Sequence, residues 1–285
     1  MPPSEANPEF EALLDYLKHN RGCNLTGYKR STLMRRVTHR MQRIGIDSYQ
    51  NYLQHLQCDI EEHLALLQDV LINFTGFFRD PDAWVYLTSE IIPKITTNQH
   101  PSKPIRVWSA GCSTGQEIYS FLILMSESLG IEFCLQHLQC YATDIDKDAL
   151  QKAQKAIYSD LEVIGIHSER LEKYFQKTEH GYVFYPDLHR LIVFDHHDLM
   201  QDAPIHAIDL LICRNVLMYF TEEAQASILA RFHFAISKTG FLFLGQVEML
   251  VQHRRFFTPV TLKQRFYNKE LNLDFENSSF ADVHS

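Results

Sequence analysis

Apolar residues recur at helical spacing through the first third of the chain: Phe10, Leu13, Leu14 and Leu17 in one run, Leu64, Leu67, Val70 and Leu71 in another. This pattern predicts helix throughout residues 8 to 94. Between these runs lies a polar helical stretch from Lys29 to Arg43, with Gly45 as its stop. The segment from Thr96 to Pro104 is polar, carries two prolines and has no period. It reads as a linker, which makes residues 1–95 a helical domain and places the boundary at 96–104. Beyond it the texture changes to short apolar runs: Ile105 to Trp108, Leu138 to Ala142, Leu191 to Phe194, Ile208 to Cys213 and Phe241 to Leu244. Helical patterns from Glu117 to Leu129, Lys147 to Ala156 and Glu222 to Ile236 separate most of them. Such alternation predicts an α/β domain over 105–285, its largely parallel sheet covered on both faces. Gln264 to Asn268 reads as a last strand. Residues 158–190 exceed the usual connection of about two to six residues and read as an insertion. They hold a short amphipathic helix, Leu171 to Phe175, and a small strand, Tyr182 to Tyr185.

Composition narrows the function. With 285 residues, 45% of them hydrophobic, the chain can bury a core for each of two domains. A formal net charge of -8 argues against a general nucleic-acid binder. No run approaches the roughly 20 apolar residues that a membrane span needs, so no membrane insertion is expected. The polar, acidic start from Met1 to Glu5 is unlike a secretory signal. Six cysteines at 23, 58, 112, 134, 140 and 213 form no Cys-x-x-Cys pair, so neither a disulfide framework nor a zinc site is expected. The His196-His197 pair matches no zinc spacing either. The expectation is a cytoplasmic, metal-free protein with monomer as its default state.

The segment Val107-Trp-Ser-Ala-Gly-Cys-Ser-Thr-Gly-Gln-Glu117 carries the chemistry. It joins the first strand of the sheet to a helix, the turn where doubly wound sheets bind ligands. Gly111 and Gly115 allow close backbone approach, but the dinucleotide spacing Gly-x-Gly-x-x-Gly is absent. Glu117 would repel a pyrophosphate, so a cofactor bearing an ammonium or sulfonium group fits better. Asp144 ends the second strand and can accept hydrogen bonds from both ribose hydroxyls of an adenosine. Asp146 reads as the N-cap of the next helix.

Four segments together resemble the chemotaxis receptor methyltransferases (CheR): Asn73-Phe-Thr-Gly-Phe-Phe-Arg-Asp-Pro81, Trp108 to Glu117, Ala142-Thr-Asp-Ile-Asp146 and Cys213-Arg-Asn-Val-Leu-Met-Tyr-Phe220. The resemblance implies a Rossmann-like class I methyltransferase domain dependent on S-adenosylmethionine, with S-adenosylhomocysteine as product. It also implies a small all-helical N-terminal domain and an inserted β subdomain. Carried over by motif, cofactor contacts fall on Asn73, Thr75, Arg79, Glu117, Asp144, Asp198, Leu199, Arg214 and Asn215. Glu117 would meet the methionyl ammonium or an adjacent group, Asp144 the ribose and Asp198 the adenine edge. Arg79, Arg214 and Tyr219 would surround the transferring methyl and the incoming carboxylate as catalytic residues. The chain departs from the family at Gln116, Asp198 and Val247, and none of these changes removes a group the chemistry requires.

The implied reaction is esterification of glutamate side chains on the acidic methylation helices of chemotaxis receptors. A glutamate is already ionised at neutral pH, so this needs positioning rather than a general base. The stretch Lys29 to Arg43 contains six basic residues and no acid, and Arg36, Arg40 and Arg43 share a helix face. That face reads either as a solvated surface or as the docking site for an acidic substrate. Two other functions stay open: methylation of a different carboxylate, and a non-catalytic adaptor that binds the cofactor as a signal.

Overall fold

A computed structural model describes residues 7–21, 24–71, 73–98, 103–250 and 255–271. Four helices open the chain: α1 (Pro8–Arg21), α2 (Arg30–Arg43), α3 (Tyr49–Cys58) and α4 (Ile60–Val70). Local chemistry sets their starts. Ser48 accepts from the Asn51 N–H at 3.2 Å to cap α3, and Asp59 accepts from Glu61 and Glu62 to cap α4. Each helix turns its apolar stripe inward, so that Phe10, Leu13, Leu17, Leu33, Val37, Met41, Tyr52, Leu56 and Leu66 form one shared core.

Residues from 77 onward join a different core. Helices α5 (Pro81–Tyr86) and α6 (Ile92–Thr97), joined by a π-helical turn at Leu87–Ile91, bury Trp84, Leu87, Ile91 and Ile95. Their partners include Ile105, Val107, Phe121 and Phe243, which belong to the sheet domain. Packing therefore divides the chain near residues 71–73 and not at 95. A helical period tells only that a face is apolar, not which core receives it. The expected linker over 96–104 is also shortened, because α6 runs to Thr97; its residues 99–102 lie outside the described residues.

The sheet has seven strands: β1 (Ile105–Ala110), β2 (Leu138–Asp144), β6 (Ile192–His196), β7 (Ile208–Cys213), β8 (Ile236–Leu244), β9 (Phe257–Thr261) and β10 (Phe266–Lys269). Their order is β6-β2-β1-β7-β8-β10-β9, with only the β10 pairings antiparallel. Helices α7 (Gln116–Leu129), α8 (Ile131–His137), α9 (Lys147–Lys155) and α12 (Glu222–Ala235) accompany it. The central strands β1 and β7 are almost wholly buried, as double coverage requires. Between β2 and β6 a small antiparallel sheet forms from β3 (Ile157–Tyr158), β4 (Phe175–Thr178) and β5 (Gly181–Phe184). Helices α10 (Ser168–Tyr174) and α11 (Pro186–His189) complete this inserted subdomain. Strand order reverses beside β1, since β2 lies on one side of it and β7 on the other. The carboxyl ends of these three strands are where such a sheet opens a crevice.

Candidate active site

A pocket lies at that reversal, lined from the sheet domain by Gly111, Ser113, Glu117, Asp144, Asp198, Leu199, Arg214, Asn215 and Tyr219 among others. Asn73, Thr75 and Arg79 close it from the connecting segment, while Tyr28, Thr32 and Leu33 reach it from the helical domain. All ten expected cofactor and catalytic positions thus line one crevice, although their side chains are engaged differently.

The turn after β1 forms the floor. Gly111 has φ +74°, and a Cβ there would lie 2.5 Å from Val216 Cγ2, so only glycine fits. Asp144 accepts from the Ser113 N–H at 2.7 Å through one oxygen and from the Asp146 N–H at 2.9 Å through the other. These bonds fix the carboxylate at the end of β2, and burial still pushes its pKa upward. Asp146 caps α9 by accepting from Asp148 and Ala149. Its second oxygen accepts from Asn73 Nδ2 at 2.6 Å, and Ser113 Oγ lies 3.3 Å from Asn73 Oδ1. The Asn73 amide therefore braces the connecting segment against the glycine turn through Oδ1 and against the α9 cap through Nδ2.

Arg214 differs most from its expected role. Its guanidinium is buried against the rings of Trp84 and Phe243, 5.3 and 4.7 Å from their centroids. It donates to Asp80 Oδ2 at 2.6 Å, to the Arg79 carbonyl at 3.0 Å and to Glu117 Oε2 at 3.3 Å. Three protein partners hold it as a brace under the Arg79 turn, and Nε is its one buried nitrogen without a partner. Glu117 is nearly buried; burial raises its carboxyl to a pKa of about 7, against the opposing pull of Arg214.

Arg79 is freer. It donates once, to the Phe74 carbonyl at 3.1 Å, and lies over the exposed Phe74 ring. A guanidinium carries five N–H donors, so most remain for a carboxylate. Tyr219 ends a 3-10 turn at Leu217–Tyr219 on the facing wall. Asp198 spends its oxygens on its own loop, accepting from the Met200 N–H and from Gln201 Nε2 at 2.8 and 2.6 Å.

The basic helix requires a correction. Arg40 is mostly buried and forms a two-point pair with Glu62 at 2.8 and 2.5 Å, with Asp69 3.5 Å away. Tyr52 donates to the same Glu62 at 2.7 Å, and burial together with this bond raises its pKa. Arg43 pairs with Asp69 at 3.2 Å. Two of the three arginines assigned to docking thus hold α2 to α4. Arg35 and Arg36 form no ion pair among the described residues, and Arg36 lies one helical turn beyond the crevice residue Thr32.

The sequence showed Glu248 only as the end of the Gly245-Gln-Val-Glu248 segment and gave it no role; it is buried and accepts from the N–H groups of Asn215, Val216, Met218 and Gly245 at 2.7–3.3 Å. An acid three residues after a strand-ending glycine was the available signal.

The crevice brings three acids, Glu117, Asp144 and Asp198, together with two arginines, of which Arg214 is already offset by Asp80 and Glu117. That set disfavours a phosphate-bearing ligand and fits an adenosine cofactor with a positive tail. The matching family models agree. Residues 73–266 match the family model "CheR methyltransferase, SAM binding domain", and residues 8–71 match "CheR methyltransferase, all-alpha domain". A chemotaxis protein methyltransferase of Listeria innocua is 30% identical over 92% of this chain and 99% of its own length. An uncharacterized 104.1 kDa protein of Rhodobacter capsulatus is 31% identical over 93% of this chain, which spans 28% of that longer protein. A solved DszA carbon methyltransferase matches 83% of this chain and 51% of its own, at 13% identity and a TM-score of 0.41. With both of its domains matched, the chain belongs to the CheR methyltransferase family, methyltransferases that use S-adenosylmethionine.

Proposed function

We propose that this methyltransferase esterifies glutamate side chains on the acidic methylation helices of chemotaxis receptors, acting in the cytoplasm. S-adenosylmethionine supplies an electrophilic methyl group on sulfonium sulfur. Asp144 holds the ribose hydroxyls, and Glu117, kept in place by Arg214, faces the cofactor's ammonium. The incoming glutamate is ionised at neutral pH and needs no base to activate it. Arg79 aims that carboxylate with its unused donors, and the Tyr219 hydroxyl gives a second, weaker contact. One strong contact rather than two leaves the oxygen nucleophilic while its geometry is fixed.

The observation that carries this reading is the wall opposite the glycine turn. Arg79 offers free donors inside the crevice, and Arg36, with no ion pair among the described residues, stands one turn from the crevice residue Thr32. Both features suit an acidic helix laid across the opening. The Listeria relatives are named chemotaxis protein methyltransferases, which supports a chemotaxis protein as the acceptor. The test incubates the protein with methyl-labelled S-adenosylmethionine and a receptor cytoplasmic fragment. Mild base should release the label as methanol; a base-stable product would refute a carboxyl ester.

A further inference from the structure

The loop Asn215–Phe220 carries Tyr219 and part of the crevice wall, yet it is irregular except for one 3-10 turn. Asn215 sits at φ +61°, in the left-handed region that asparagine tolerates better than most side-chain-bearing residues. Two groups from outside the loop grip it. On one side the Glu248 carboxylate gathers three of its N–H groups: Asn215 at 2.8 Å, Val216 at 2.9 Å and Met218 at 3.3 Å. The chain passes close enough for this because residue 245 is glycine; a Cβ there would lie 2.8 Å from the Asn215 nitrogen.

On the other side is Lys29, the N-cap residue of α2. Its backbone N–H donates to the Tyr219 carbonyl at 2.9 Å, and its ammonium donates to the Met218 carbonyl at 2.8 Å. Neighbouring contacts extend the same seam. Thr221 N–H donates to the Gly27 carbonyl at 2.8 Å, and the Tyr28 ring lies 4.5 Å from that of Phe220.

We propose that Glu248 and Lys29 are positioning residues for methyl transfer, clamping the Tyr219 loop from opposite sides so that its wall stands preformed against the cofactor. Glu248 supplies acceptors to the loop's donors and Lys29 supplies donors to its acceptors. The Lys29 arm belongs to the helical domain, so the segment leading into α2 is hydrogen-bonded directly to the loop that bears Tyr219. The link to catalysis rests on the proposed placement of Tyr219 beside the reacting groups. The clamp itself rests on these hydrogen bonds.

The experiment uses the full chain and S-adenosylhomocysteine, with no methyl acceptor, so a wrong substrate assignment cannot disguise the outcome. Wild type, Glu248→Gln, Lys29→Ala and Lys29→Arg are compared by amide hydrogen exchange across residues 214–220 and by calorimetric titration. In Glu248→Gln the amide NH2 faces donors, so loop exchange should accelerate about tenfold or more, and affinity should fall by a similar factor. Lys29→Ala should accelerate loop exchange several-fold, with Lys29→Arg restoring protection because it still donates to the Met218 carbonyl. Lys29 is exposed, so this pair keeps the test valid should Glu248→Gln fail to fold. A purely structural role would lower the unfolding midpoint while leaving loop exchange and affinity at wild-type values. That result, or equal exchange in Lys29→Ala and wild type, overturns the proposal.

Discussion

Replacing Glu117 by glutamine removes the one crevice carboxyl whose pKa is raised to about 7. Burial is the first cause, the nearby Glu248 carboxylate adds to it, and Arg214 at 3.3 Å opposes both. In the unfolded chain the same carboxyl titrates near 4.5. The folded protein therefore binds this proton more tightly. The stability it contributes is complete below pH 4.5 and is lost as pH rises through about 7. The difference corresponds to roughly 3 kcal/mol. Cofactor binding carries the opposite sign, because the ammonium requires the ionised carboxylate and its affinity should rise through the same interval. Urea unfolding of wild type and Glu117→Gln between pH 5 and 8 isolates the first effect. Titration with S-adenosylhomocysteine isolates the second. In the wild type, relative to the variant, stability should fall with pH while affinity rises. Parallel pH profiles in the two proteins would refute both the buried titration and the ammonium contact.

Arg40→Met should leave Glu62 buried without its cation, costing about 3–5 kcal/mol in urea unfolding, whereas Arg43→Ala should cost about 1 kcal/mol or less. Arg79→Ala and Tyr219→Phe should each keep a wild-type unfolding transition, with Arg79→Ala slowing methyl transfer about 100-fold. Unchanged turnover in either would remove that side chain from the reaction. Arg36→Glu should weaken receptor-fragment binding and flatten its salt dependence, measured between low and physiological ionic strength, while Arg40→Met leaves that dependence intact.

The parts of the fold readable in the sequence are those with local causes. The apolar runs at 105, 138, 208 and 241 became strands, the glycine turn followed the first of them, and Asp146 capped α9 through its own neighbours. Strand β9 escaped notice because Pro259 interrupts its pattern; a proline is tolerated there since the strand lies at the sheet's edge. Pairing across sequence distance was equally hidden. Helical spacing showed that Arg36, Arg40 and Arg43 share a face, but not that Glu62 and Asp69 on α4 stand opposite two of them. The motif around Arg214 lines the crevice. Only the packing of Trp84 and Phe243 reveals that its charge is spent on Asp80 and Glu117. Glu248 was legible as an acid in a loop, and its function depends on three backbone donors about 30 residues earlier, which no local pattern encodes.

The most direct test of the account maps the methyl group to an atom. A receptor cytoplasmic fragment is treated with the protein and S-adenosylmethionine, digested without base, and sequenced by tandem mass spectrometry. The account predicts one added methylene on glutamate side chains of the acidic helices, absent after mild base and strongly reduced with Arg79→Ala. Methylation on nitrogen or on a hydroxyl, or an unmodified fragment alongside tight S-adenosylhomocysteine binding, would contradict it.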